Sequence, residues 1–235
     1  MSLKAMKHAI FLALILIAGP VAAAQPPQKV QIDFAVTSGS MQLGEGHDFL
    51  EHDGKKYSVV SETKTVGVAA LFYKLNIHRE SRGLLTASGL RPLRFDENNS
   101  RKPRRAAEFD WDAGRVRLTD GDTIETAPLS ANTFDPTSLP YAFAFAQSNQ
   151  ESMKVFIADG RRVIDYEYRI IGKETLKTPL GELETLHFQK VREADDKRGL
   201  EFWLSVDRHF LPVKIRFVEK NGTMVDSTVT GITYQ

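Results

Sequence analysis

A chain of 235 residues that is 42% hydrophobic and 26% charged has the composition of an ordinary globular protein, which excludes collagen-like, low-complexity and disordered classes. The absence of cysteine excludes disulfide frameworks, thiolate metal sites, cysteine nucleophiles and an acylated lipoprotein cysteine. The formal charge is +1; without Lys4 and Lys7, which lie in a segment expected to be removed, 29 of the 31 basic residues face 30 acidic ones, so no nucleic-acid partner is expected.

Residues 1–24 read as a secretory signal. Lys4 and Lys7 form the basic start, Ala9 to Ala18 form an apolar stretch, Gly19-Pro20 breaks it, and Ala22-Ala23-Ala24 offers a small-x-small cleavage pattern. Ten apolar residues are too few to cross about 30 Å of hydrocarbon as a helix. The expectation is a mature chain from Gln25, free of membrane spans and periplasmic.

From Val30 onward, apolar residues recur at every second position. Val30, Ile32, Phe34 and Val36 are followed later in the chain by Val155 and Ile157, by Ile164, Tyr166, Tyr168 and Ile170, by Leu200, Phe202 and Leu204, and by Val213, Ile215 and Phe217. Each set places its side chains on one sheet face. Asp53-Gly54, Asp120-Gly121, Asp159-Gly160 and Asn221-Gly222, with Ala113-Gly114 as a weaker fifth, supply residues that accept positive φ in tight hairpins. His47, Asp48, Glu51, His52 and Asp53 make the densest set of metal-ligand types, but most of it falls near a hairpin tip, where polar residues are expected anyway.

Val66 to Lys74 (VGVAALFYK) lacks alternation and is apolar enough for a short buried helix, although an irregular strand fits nearly as well. Arg101, Lys102, Arg104 and Arg105 put four cations in five residues. This is a solvated loop or, functionally, a patch for an anionic partner such as lipid head groups, lipopolysaccharide phosphates or acidic glycans. Phe109 to Gly114 resembles the opening of a calcium loop but lacks the third acid and the closing Glu.

Asp135-Pro136 presents an N-cap acid before a proline suited to the first helical position, which predicts a helix over Pro136 to Gln147. With Phe134, Leu139, Tyr141, Phe143 and Phe145, residues 128–150 are too apolar for a solvated linker. They read as a packed plug or lid, so that residues 25–235 form one domain. Glu182 and Glu184 share a strand face, yet same-face acids on a hairpin usually form its wet side. His187 and His209 read as structural. The phosphate loop, the dinucleotide glycine fingerprint and the G-x-S-x-G elbow are absent, and nothing in the sequence calls for a cofactor.

In order along the chain, Ser81-Arg82-Gly83-Leu84-Leu85, Gly89-Leu90-Arg91-Pro92, Phe109-Asp110-Trp111, Thr178-Pro179-Leu180-Gly181 and Phe202-Trp203-Leu204-Ser205 through Phe210-Leu211-Pro212-Val213 resemble the Domain of Unknown Function 3108 family of secreted bacterial proteins. The closing W-L-x-x-D-x-x-x-L-P-V is also similar to the last hairpin of periplasmic lipoprotein carriers. The resemblance implies a β-rich barrel or half-barrel in the envelope and transfers no catalytic residue. Read physically, Gly83 and Gly89 permit turn geometry, and Pro92, Pro179 and Pro212 suit strand starts.

The expected architecture is all-β with minor α: a curved antiparallel sheet of about a dozen strands closed into a barrel or half-barrel, with one or two short helices. Its inner face is either filled by side chains or left as a cavity. The leading functional expectation is a non-enzymatic periplasmic protein that holds an apolar or amphiphilic, lipid-like ligand or supports envelope biogenesis. Tyr141, Phe143, Phe145 and Trp203 are the candidates to line the ligand site. The second expectation is an interaction module docking on an envelope assembly through a strand edge or the basic loop; an enzyme is third. An apolar cavity favours the first, a solid core with an apolar surface patch the second.

Overall fold

All five X-Gly dipeptides sit in turns with positive φ: Gly54 at 83°, Gly114 at 63°, Gly121 at 60°, Gly160 at 86° and Gly222 at 87°. The computed structural model describes residues 26–145, 152–192 and 196–235, so the expected signal segment lies outside the described residues. The first half forms β1 (Lys29–Ser38), β2 (Met41–His52), β3 (Lys56–Thr65), α1 (Gly67–Phe72), β4 (Asn76–Thr86), β5 (Gly89–Asn99), β6 (Lys102–Asp110), β7 (Arg115–Asp120) and β8 (Thr123–Pro128). The second half forms β9 (Thr133–Phe134), α2 (Leu139–Phe145), β10 (Ser152–Ala158), β11 (Val163–Thr178), β12 (Gly181–Lys190), β13 (Gly199–Ser205), β14 (Leu211–Val218) and β15 (Met224–Tyr234).

These strands make one sheet of 15 in the order β8-β7-β6-β5-β4-β3-β2-β1-β15-β14-β13-β12-β11-β10-β9. The chain starts in the middle, meanders to one edge, crosses to the other and meanders back until β15 pairs antiparallel with β1, Val30 opposite Tyr234. Among the described residues, the β9–β10 pairing alone is parallel. The two edges are therefore consecutive in sequence. Laid flat, 15 strands would span about 67 Å, whereas the link from Pro128 to Thr133 reaches at most about 18 Å. Covalent connection thus forces the sheet to curl until its edges approach.

The tip of the β10–β11 hairpin closes the gap. A Cβ on Gly160 would lie 2.7 Å from Arg105 Cβ and 3.0 Å from the Ala106 nitrogen, so the turn rests directly on β6. Ala158 and Val163 join Phe95, Ala107, Phe109, Val116 and Leu118 in a small core along this seam. The edges are protected as natural sheets protect theirs: β8 is short and ends at Pro128, and β9 has two residues.

The main core draws on both halves of the chain, with Val30, Ile32, Phe34, Leu50 and Val59 packed together with Val155, Tyr168, Phe202, Leu204 and Val229 around α2. Gly83 is not at a turn. It lies within β4 at a bulge opposite Pro92, where a Cβ would meet the Arg91 oxygen at 2.2 Å and the Tyr57 ring at 2.6 Å. Pro92 likewise sits inside β5 at that bulge, where a missing N–H breaks no regular ladder bond.

The two helical expectations shift. α2 begins at Leu139 rather than Pro136, because Asp135 Oδ1 accepts the backbone N–H groups of Thr137 (2.8 Å) and Ser138 (2.9 Å) and folds residues 135–138 into a turn. The expected end at Gln147 lies outside the described residues. α1 forms where a helix was expected, but it is exposed instead of buried. As a connection between neighbouring antiparallel strands it sits on the rim, where no layer among the described residues covers it.

Candidate functional site

Alternation decides where the predicted residues go. On β2, Asp48 and Leu50 point inward, so the concave face receives a carboxylate as well as apolar groups. Tyr141 of α2 donates its hydroxyl to Asp48 Oδ2 at 2.6 Å. Burial pushes the Asp48 carboxyl up, against the lowering effect of hydrogen bonds from Ser61 and Tyr141, and pushes the Tyr141 phenol well up. A second buried acid anchors the start of the plug: Asp135 Oδ2 accepts from Ser81 Oγ at 2.6 Å and Ser138 Oγ at 2.8 Å, while Tyr57 reaches Ser81 at 3.1 Å. Its carboxyl is also raised, by burial first.

Phe143 packs on Phe188 with ring centroids 4.4 Å apart and on Phe202 at 6.1 Å, and Phe145 meets His52 edge-on at 5.2 Å. The three α2 rings thus lie inside the curve of the sheet. Trp203 belongs to the same buried core but makes no ring contact with them. One residue beyond the inward-facing Phe202, it takes the opposite face of β13, stacks on its cross-strand partner His187 at 4.1 Å and is overlain by Lys214 at 4.9 Å. His187 is held between Glu174 (3.2 Å) and Glu201 (2.9 Å), and its bond to Glu201 keeps that carboxyl below the usual range.

The basic run divides. Arg104 faces outward and pairs with Asp96. Arg105 faces inward between Asp120 at 3.1 Å and Glu97 at 3.8 Å. Arg101 and Lys102, at the β5–β6 turn, have no carboxylate within ion-pair distance among the described residues, and both are exposed. The Arg101 guanidinium lies 4.4 Å above the Tyr73 ring, which brings the run against α1.

α1 is the feature that sequence reasoning misplaced. Phe72 is 86% exposed, Leu71 81%, Val68 70% and Met41 at the start of β2 61%. The helix is nonetheless fixed. Val66 N–H donates to the Leu43 carbonyl at 3.1 Å, Thr65 N–H to Leu75 O at 3.0 Å, and Ser100 N–H to Asn76 O at 2.9 Å. The signal that could have found it is that a nine-residue apolar stretch between the ends of two paired strands is too short to fold back over the sheet.

Three concave sites on the surface have volumes of 190, 280 and 310 Å³, and none is bordered by an α2 ring. The 280 Å³ cleft lies at the β5–β6 turn and is bounded by Asn76, His78, Asn98, Ser100, Lys102 and Arg104.

Residues 33–230 match the protein family described as "Protein of unknown function (DUF3108)". The chain belongs to that family. No curated protein matches it. Among solved structures, it is similar to the β-barrel-like protein of Domain of Unknown Function DUF1849 from Brucella abortus, with a TM-score of 0.60, 10% identity, and coverage of 90% of this chain and 100% of that one. That likeness establishes the barrel-like fold of this DUF3108 member. The chain also aligns with the Pseudomonas aeruginosa MucA/MucB complex (TM-score 0.36, 12% identity, 87% of this chain and 51% of that one). A domain assigned to outer membrane lipoprotein sorting from Vibrio parahaemolyticus aligns as well (TM-score 0.23, 7% identity, 92% and 87%). These last two superpose too loosely to bear on this chain.

Proposed function

We propose that this DUF3108 protein is a docking module of the bacterial envelope, exported by residues 1–24 to the periplasm, which works through its surface and not through an enclosed ligand. The observation that carries this reading is the exposure of Val68, Leu71 and Phe72 on a helix that backbone hydrogen bonds fix to the rim. Large apolar groups gathered on a protruding element mark interaction sites. The reading of a lipid held inside the sheet draws less support, because Tyr141, Phe143 and Phe145 spend their surfaces on Asp48, Phe188, Phe202 and His52.

A photo-activatable amino acid placed at Phe72 in the native cell tests the reading, with the same group at the exposed Ile171 of β11 as control. Adducts from position 72 and none from 171 are expected. Equal or absent adducts at both positions would defeat the docking function.

A further inference from the structure

We infer that the rim formed by α1 and the β5–β6 turn docks on an anionic lipid surface, with Leu71 and Phe72 entering the head-group boundary while Lys74, Arg101 and Lys102 meet lipid phosphates. The inference rests on the docking reading above and names its partner.

Charge is the first argument. Several outer-face arginines are matched to carboxylates along or across strands: Arg94 to Asp96 (2.6 Å) and Glu108 (2.8 Å), Arg117 to Glu108 (3.2 Å), Arg216 to Asp226 (2.7 Å). Among the described residues, Lys74, Arg101 and Lys102 have no such match, and all three are exposed. At this rim unmatched positive charge therefore coincides with Val68, Leu71 and Phe72, the most exposed large apolar side chains among the described residues.

Placement is the second. Arg101 is carried over the Tyr73 ring at 4.4 Å, at the C-terminal end of α1, and the Ser100–Asn76 hydrogen bonds lock the two connections together, with Asn76 N–H donating to Ser100 Oγ at 3.0 Å. The 280 Å³ cleft with Lys102, Arg104, His78, Asn76 and Asn98 on its walls opens at the β5–β6 turn and offers amide and cationic donors to a phosphate. Apolar side chains flanked by cations are what an interfacial lipid-binding helix presents.

Shape is the third. A bulge carrying Phe72 at 86% exposure requires a matching pocket in a protein partner, whereas a bilayer boundary accepts any convex apolar group. A second copy fits poorly, because apposing two α1 segments would bring both sets of unpaired cations together.

The test is sedimentation of the exported chain, recovered from the periplasm, with vesicles of phosphatidylethanolamine and phosphatidylglycerol in a three-to-one ratio, beside vesicles of phosphatidylcholine alone. Binding to the anionic vesicles, weakened by raised salt, is expected. Removing both cations in Arg101→Ala/Lys102→Ala should weaken it roughly 30-fold, about five-fold per cation, and Leu71→Ser/Phe72→Ser should weaken it at least as much. Thermal unfolding of both variants should match the parent, which excludes misfolding as the cause. No binding to anionic vesicles, equal binding to both vesicle types, or unchanged binding by either variant overturns the inference. If vesicles fail while position 72 still forms an adduct with a protein, the lipid partner falls and the docking function stands; if both fail, both fall.

Discussion

Two short apolar segments of this chain, VGVAALFYK and LPYAFAF, have nearly the same composition and opposite fates. α2 is buried on almost every side, and α1 presents its largest side chains to solvent. The difference lies in what each one connects. α2 lies between β9 and β10, which pair in parallel, so the chain has to cross the sheet face to begin the next strand, and α2 lies within the curve of the sheet. α1 joins β3 to β4, which pair antiparallel and need no crossover, so it remains on the rim. Apolar content therefore says that a segment needs covering, and topology says whether the chain itself provides the cover.

Truncating side chains in both segments gives the largest contrast. Tyr141→Ala and Phe145→Ala should each lower unfolding free energy by about 3–5 kcal/mol, with Tyr141→Ala at the upper end because it also removes one of the two hydroxyl donors to Asp48. Leu71→Ala and Phe72→Ala should stay within about 0.5 kcal/mol. Urea denaturation of the four variants decides this, and similar losses in both segments would break the comparison.

A smaller effect follows from the acid that greets α2. Burial raises the Asp48 carboxyl, so the folded state holds that proton more tightly than the unfolded chain. Its favourable contribution is complete below the ordinary value of 3.8 and is lost as pH climbs through the raised value. Relative to the parent, Asp48→Asn should therefore gain stability as pH rises across that window. A pH-independent difference in denaturation midpoint would refute the account.

The smallest effect lies on the outer face. A hydrogen bond with Asp33, working against desolvation, raises His47 above 6.5. The stability it contributes is present below that value and disappears as pH rises through the raised one. The cost of His47→Gln should accordingly be greater at about pH 6 than at about pH 8, by a modest margin because the pair is partly solvated. Thermal melts at the two pH values measure it.

Much of the local structure was legible in the residues. The five X-Gly turns could be read because positive φ is a property of the dipeptide itself, and the family could be read because its motifs keep their order. Asp48 and Asp135 could not be read as buried: an acid in an alternating strand looks like the wet side until the hydroxyls that satisfy it, from Tyr141 and Ser81, arrive from 93 and 54 residues away. The basic run looked uniform because only the pairing of β6 with β5 and β7 shows that Arg104 and Arg105 are neutralised while Arg101 and Lys102 are not. Trp203 and Phe202 are adjacent, and their opposite faces could be assigned only once the register of β13 was known.

The pairing of β1 with β15 has a kinetic consequence. The central strand of the sheet is made first, and its second neighbour is made last, so a chain emerging from its N-terminus holds β1 with one unpaired edge until nearly every other residue has followed. Contacts of such long sequence separation slow folding, and an unpaired central strand invites pairing with other chains. Val30, Ile32 and Phe34, which end fully enclosed, are the residues exposed longest, and the step that completes the sheet is also the step that removes this hazard.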